Sequence, residues 1–313
     1  MKTMLLFSRF WNTVLCVMLA VCCVHCMAAE EPKKDTAPKT EKKPDYTEFL
    51  GLVYDEQKQL KYDLYLPTAK VPKDTPVGAI LFIHGGGWQK GDRKHKAWYC
   101  KHYAGRGFVT ATISYSFIKE TGNSVSFFTM MDEIQKCLEH MRDTAAKHHY
   151  PIKCLAVSGS SAGGHLAMMY AYSRAKTSPI PIAMVFQEVG PSFFTKGCLP
   201  LVSHLELTLV QRGAGVAVTQ EDYESGKAME AVKSISPAFL VTDETVPTVA
   251  AYGGKDFLVT KAHMEKLRSA LEAHKIPHEI MVFPNSTHTL KDDPKLRKQY
   301  FATIVKFLEK YMK

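Results

Sequence analysis

From residue 46 onward, apolar positions fall into two alternating patterns. Short β-rich runs at Leu60–Leu66, Gly78–His84, Phe108–Tyr115, Ile152–Ser158, Ile182–Glu188, Thr248–Tyr252 and His278–Phe283 predict strands. A run such as Ala79-Ile80-Leu81-Phe82-Ile83 has no polar alternation, which marks a strand covered on both faces. Between these runs lie segments with a three-to-four-residue period, predicting helices over Phe127–Lys147, Ala162–Ser173, Lys261–His274 and Pro294–Met312. In the last, Leu296, Tyr300, Ile304, Phe307, Leu308 and Tyr311 recur at helical spacing, a stripe that faces a core. Strands alternating with helices imply an α/β fold, with a mostly parallel central sheet and helices on both faces. Residues 191–243 break the rhythm, mixing apolar and polar pieces around Gly213-Ala214-Gly215, and read as a small cap insertion.

The N-terminal 29 residues follow another pattern. Lys2 and Arg9 precede an almost continuous apolar run from Trp11 to Val24, and Cys26-Met27-Ala28-Ala29 supplies small residues for cleavage. The run is shorter than the roughly 20 residues of a permanent span and fits a secretory signal peptide, so the mature chain is expected to be secreted or periplasmic without a membrane span. Leu19-Ala20-Val21-Cys22 suggests lipoprotein anchoring instead, but a lipobox wants a small residue where Val21 stands. Residues 30–45, rich in Lys, Glu, Pro and Thr, cannot bury enough surface to offset their chain entropy and read as a linker. One catalytic domain over residues 46–313 remains.

Composition narrows the chemistry. At 46% hydrophobic and 23% charged the chain is of globular type, and its net charge of +9 comes from lysines interleaved with acids. That scatter describes a solvated surface and argues against a nucleic-acid partner. Four of the eight cysteines lie in the presumed signal. The other four, Cys100, Cys137, Cys154 and Cys198, are widely spaced without a CxxC pair, so no metal site is expected and buried free thiols are the simplest reading.

Four pieces carry candidate chemistry. Gly159-Ser160-Ser161-Ala162-Gly163 follows a strand and opens a helix, the context in which G-x-S-x-G exposes a nucleophilic serine on a tight turn. Only Ser161 is in frame, because Ser160 is flanked two residues away by Ser158 and Ala162. His84-Gly85-Gly86-Gly87-Trp88 follows an earlier strand, and its glycines let backbone amides turn toward a developing oxyanion. Asp256 stands in the loop after Val249–Tyr252, and His288 in the loop after His278–Phe283. Together they give the order Ser, Asp, His. Asp243 and Glu244 precede their strand, while His274 and His278 lie before or within one, so these rivals read as surface or structural groups.

His84-Gly85-Gly86-Gly87-Trp88, Ser160-Ser161-Ala162-Gly163-Gly164-His165-Leu166-Ala167, Asp256 and His288 resemble the α/β-hydrolase esterases related to hormone-sensitive lipase, especially the branch of bacterial acetyl, xylan and feruloyl esterases. The resemblance implies the α/β-hydrolase fold and catalysis by Ser161, His288 and Asp256, with the amides of Gly86, Gly87 and Ala162 as the oxyanion hole. It implies no cofactor. One departure concerns the stretch after the fourth strand, where relatives often carry Asn-Tyr-Arg and this chain has Ser114-Tyr115-Ser116-Phe117-Ile118. Trp88, Phe193 and Phe194 are expected to line the substrate pocket as three rings near its mouth. The expected partner is a short-chain ester, small-molecule or carbohydrate, of acetyl type. An amidase or peptidase of the same fold, or a binding module that has lost its chemistry, are the alternatives.

Overall fold

The computed structural model describes residues 44–118 and 124–312, apart from the side chains of residues 202 and 204; the expected signal and all but the end of the linker lie outside them. Eight strands form one sheet: β1 (Thr47–Asp55), β2 (Leu60–Leu66), β3 (Val77–Ile83), β4 (Val109–Ile113), β5 (Ile152–Ser160), β6 (Ile182–Glu188), β7 (Thr248–Gly253) and β8 (His278–Phe283). Their order is β1-β2-β4-β3-β5-β6-β7-β8. β1 pairs antiparallel with β2 and β2 with β4, and every other pairing is parallel.

The uninterrupted apolar runs are the central strands. All seven residues of β3 and all five of β4 are buried, because helices cover both sides of the sheet. On one side, α1 (Ala97–Ala104) and α9 (Pro294–Tyr311) place Tyr103, Tyr300, Ile304 and Leu308 against Ile80, Phe82, Ala156, Phe186 and Val249. On the other lie α2 (Phe127–Lys147), α3 (Ala162–Ser173) and α8 (Lys261–Ala273). Ser126 starts α2 with a capping box: its hydroxyl accepts from the Thr129 amide, and the Thr129 hydroxyl accepts from the Ser126 amide, each at 3.2 Å. The helix then buries Met130, Met131, Ile134, Cys137, Leu138 and Met141 at the predicted spacing.

Between β6 and β7, the segment expected to be an insertion, lie four helices: α4 (Ser203–Ala214), α5 (Gln220–Ser225), α6 (Met229–Ser234) and α7 (Pro237–Leu240). Glu206 of α4 is buried, and its carboxylate accepts the amides of Gly197 (2.8 Å) and Leu199 (2.7 Å), which folds the entry loop onto the helix. The insertion is anchored by α7 on α3 and α8, and by α4 on α2. Cys100, Cys137, Cys154 and Cys198 are free thiols, and burial pushes the pKa of each up.

Candidate active site

Parallel pairing brings the motifs together. Ile83 at the end of β3 lies opposite Gly159 of β5, so the glycine turn after β3 and the serine turn after β5 emerge side by side. β6, β7 and β8 follow in sequence, so the loops carrying Asp256 and His288 leave the same edge of the sheet.

Ser161 is the single residue between β5 and α3, and it adopts φ 55° and ψ −125°, a strained region for a side-chain-bearing residue. Its amide donates to the Glu188 carbonyl at 2.8 Å and its carbonyl accepts from the His165 amide at 3.0 Å, which fixes the turn from both ends. Glycines make the turn sterically possible. A Cβ on Gly159 would strike the Gly163 carbonyl, and one on Gly163 would strike the carbonyls of Ile83 and His84. A Cβ on Gly85 would stand 3.2 Å from the Ser161 Cβ, so the two glycine-rich segments interlock around the serine.

The hydroxyl Oγ of Ser161 lies 2.9 Å from His288 Nε2, and His288 Nδ1 lies 2.7 Å from Asp256 Oδ2. The Asp256 side chain is 1% exposed, and its other oxygen accepts the amides of Leu258 (2.9 Å) and Val259 (3.0 Å). The loop bearing His288 is braced by a residue that the sequence did not single out: Asp293 accepts from the Asn285 amide (3.0 Å) and the Ser286 hydroxyl (2.8 Å). Burial alone would raise the Asp293 pKa, but these hydrogen bonds outweigh it and hold the carboxyl below its usual range.

Gly86 and Gly87 have φ of 122° and 60°, values that favour glycine. A Cβ on Gly86 would overlap the Lys90 carbonyl, while Gly87 faces open space. Ala162 opens α3, where first-turn amides have no acceptor inside the helix and the helix dipole presents its positive end. His84 lies beneath the turn, its ring stacked on Tyr115 at 4.4 Å and its Nδ1 2.8 Å from the Gly85 carbonyl. Burial pushes the His84 pKa down to about 4.

The three rings expected at the pocket mouth differ in their surroundings. Trp88 and Phe194 are buried and pack against each other (5.8 Å between ring centres), with Phe127 and His165 completing the cluster. The indole N–H needs a buried acceptor and finds one in His165 Nδ1 at 3.2 Å, which draws the ring inward. Phe193 is half-buried and packs on the buried His263 of α8, at 4.6 Å. The rivals stay apart from Ser161: Asp243 Oδ1 pairs with His274 Nδ1 at the surface (2.7 Å), and His278 Nδ1 contacts the Ile276 carbonyl. The departure at Ser116 has a local explanation, since its amide and hydroxyl donate to Glu133 of α2 (2.8 and 2.6 Å), which also accepts from Lys58. Among the described residues no cluster of three or more His, Cys, Asp or Glu side chains could hold a metal ion, and no helix is long and apolar enough to cross a membrane.

Comparison with known proteins agrees with this architecture. Solved structures superpose over most of the chain. Esterase B from Lactobacillus rhamnosis, inhibited by a C6-C4 SN3 compound, gives a TM-score of 0.68 at 17% identity, covering 96% of each chain. A propionate-bound esterase from the planctomycete Thermogutta terrifontis gives 0.66 at 20% identity, over 85% of this chain and 94% of its own. A truncated carbohydrate esterase from gut microbiota gives 0.65 at 16% identity, over 86% of this chain and 98% of its own. The fold is that of the α/β hydrolases. The BD-FAE family model matches residues 62–271, most of the sheet and its helices, and the chain belongs to that family. Among curated relatives, a protein named "Probable isoprenylcysteine alpha-carbonyl methylesterase ICMEL1" from Oryza sativa subsp. japonica is 22% identical over 76% of this chain and 56% of its own length. A "Putative carboxymethylenebutenolidase" from Yersinia pestis is 25% identical over 60% of this chain and 55% of its own. The chain thus spans about half the length of these two relatives.

Proposed function

We propose that the protein is a serine carboxylic-ester hydrolase that works through an acyl-enzyme. The observation that carries this reading is the continuous line of hydrogen-bond distances from Ser161 through His288 to Asp256, 2.9 Å and then 2.7 Å. His288 Nε2 takes the hydroxyl proton as Ser161 Oγ attacks the ester carbonyl. The amides of Gly86, Gly87 and Ala162 hold the resulting oxyanion, each donor worth about 3–4 kcal/mol. Collapse breaks the acyl–oxygen bond, and His288 returns its proton to the departing alcohol. Water, deprotonated by His288, then attacks the acyl-enzyme and releases the acid and Ser161. Asp256 holds the imidazole in the tautomer with a proton on Nδ1.

The substrate class proposed is a short acyl ester of acetyl type, borne on a carbohydrate, met outside the cytoplasm after removal of residues 1–29; export is checked by a mature N-terminus at Ala29 or Glu30. Two points support the short acyl group. Trp88, which directly follows Gly87, packs with Phe127, His165 and Phe194 in one cluster of rings, and bulk next to the oxyanion turn favours a small acyl group. The Thermogutta terrifontis neighbour has been seen with propionate and with butyrate bound. The carbohydrate part is supported by the gut-microbiota neighbour's designation as a carbohydrate esterase. A nitrophenyl ester series from acetate to octanoate, followed by acetylated sugars, tests the assignment. Activity should be highest on acetate to butyrate and absent in Ser161→Ala, while Ser160→Ala keeps most of it. A higher kcat/KM on octanoate would reject the short-acyl reading, and full activity in Ser161→Ala would reject the nucleophile.

A further inference from the structure

We infer that His165 is a positioning residue that ties the oxyanion turn, the nucleophile helix and the insertion together through one buried imidazole. This inference rests on the proposed role of the Gly86 and Gly87 amides.

His165 is fully buried, four residues after Ser161, and its backbone amide donates to the Ser161 carbonyl at 3.0 Å. Its side chain makes two polar contacts in opposite directions. Nδ1 lies 3.2 Å from the indole Nε1 of Trp88, and Nε2 lies 2.8 Å from the carbonyl of Ile235, which ends α6 of the insertion. An indole nitrogen only donates and a carbonyl only accepts, so Nδ1 must accept and Nε2 must carry the proton. The imidazole is therefore neutral with a single tautomer, in keeping with burial pushing its pKa down to about 3.

What the imidazole holds is the residue that closes the oxyanion turn. Trp88 directly follows Gly87 and has φ 59°, a backbone setting that its own side chain disfavours and that its surroundings must impose. Two contacts impose it: the Trp88 carbonyl accepts from the Ile118 amide at 2.9 Å, and the indole is held by His165. Rings on three elements then clamp the imidazole, with Phe127 at 4.7 Å, Phe194 at 5.2 Å and Trp88 at 5.3 Å. A displacement of the insertion at Ile235 would pull on the same imidazole that sets Trp88, so the insertion is coupled to the donor geometry over Ser161.

The test measures kcat and KM on nitrophenyl acetate, with fluorophosphonate labelling of Ser161, for Trp88→Phe, His165→Phe, their double variant and His165→Asn in the full chain. Trp88→Phe keeps a ring but loses the donor. His165→Asn keeps an acceptor near the Nδ1 position. Trp88→Phe and His165→Phe should each lower kcat by about tenfold to a hundredfold with little change in KM, somewhat less than the loss of a whole oxyanion donor. The double variant should be no worse than the worse single one, because both break one link. His165→Asn should recover most of the kcat lost in His165→Phe. Wild-type kcat in Trp88→Phe, or losses that multiply in the double variant, would overturn the inference; Trp88→Phe decides alone if His165→Phe does not fold. Failure of the underlying site reading would look different, since the parent enzyme would then neither label at Ser161 nor lose activity in Ser161→Ala.

Discussion

Asp256 has its two oxygens committed in different directions. One accepts the amides of Leu258 and Val259, and the other faces His288 Nδ1 at 2.7 Å. Asparagine fits the same space but can satisfy the two amides only with its oxygen, which turns its NH2 toward Nδ1. Two donors then face each other unless His288 moves its proton to Nε2, where it can no longer accept from Ser161. Asp256→Asn should therefore lower kcat by about 10⁴-fold, as the equivalent change does in a serine protease, with KM nearly unchanged. Asp243→Asn, which touches only the surface His274, should be silent. Steady-state kinetics of the two variants checks this, and a silent Asp256→Asn would move the acid elsewhere. Ser161, Asp256 and His288 could be picked out from the sequence because each sits at a strand end that an apolar run announces. The burial of Trp88 could not be read there, since its indole finds its acceptor in His165, distant from it in the chain.

At the scale of elements, central strands such as β3 were legible because both faces are covered and the run is apolar throughout, and the long helices because their apolar positions recur at helical spacing. The misses have local causes. β1 contains Gly51 at φ 72° and shifts register twice against β2, so its apolar residues do not alternate cleanly. α1 is two turns long, with Trp98 exposed, and leaves no full stripe to read. The helices of the insertion are mostly of four to six residues, too short for a period to emerge. A tight junction is that of β3, β5 and α3, where Gly163 sits against the carbonyls of Ile83 and His84. Those are backbone atoms at and just after the end of a central strand and have little room to retreat. Gly163→Ala should cost about 3 kcal/mol or more. Gly226→Ala, at φ 82° in open space after α5, should cost only about 1 kcal/mol of backbone strain. Urea midpoints of the two variants decide it, and equal losses would mean that the junction has more slack than its geometry shows.

Across the whole molecule, three neutral histidines are built into separate seams: His84 under the oxyanion turn, His165 between α3 and the insertion, and His263 between α8 and the start of the insertion. His263 accepts from the Ser192 amide at 3.1 Å and lies 2.9 Å from the Cys198 carbonyl, so it too has both nitrogens engaged. Burial lowers all three, to about 4 for His84 and His263 and about 3 for His165. In the unfolded chain each titrates near about 6.5. Between these values the unfolded chain binds protons that the folded protein refuses, so the stabilisation is complete above about pH 6.5 and is lost as pH falls toward the folded values. Within that window each histidine can remove up to about 1.4 kcal/mol per pH unit. Denaturant midpoints measured from pH 7.5 to 5 should therefore fall steeply, and opening should begin where the His165 and His263 seams meet the insertion. Replacing His263 with asparagine, which keeps an acceptor for the Ser192 amide, should flatten the pH slope while lowering stability at pH 7.5. A slope unchanged by that substitution, or a midpoint that rises on acidification, would show that these imidazoles are not held neutral by the fold.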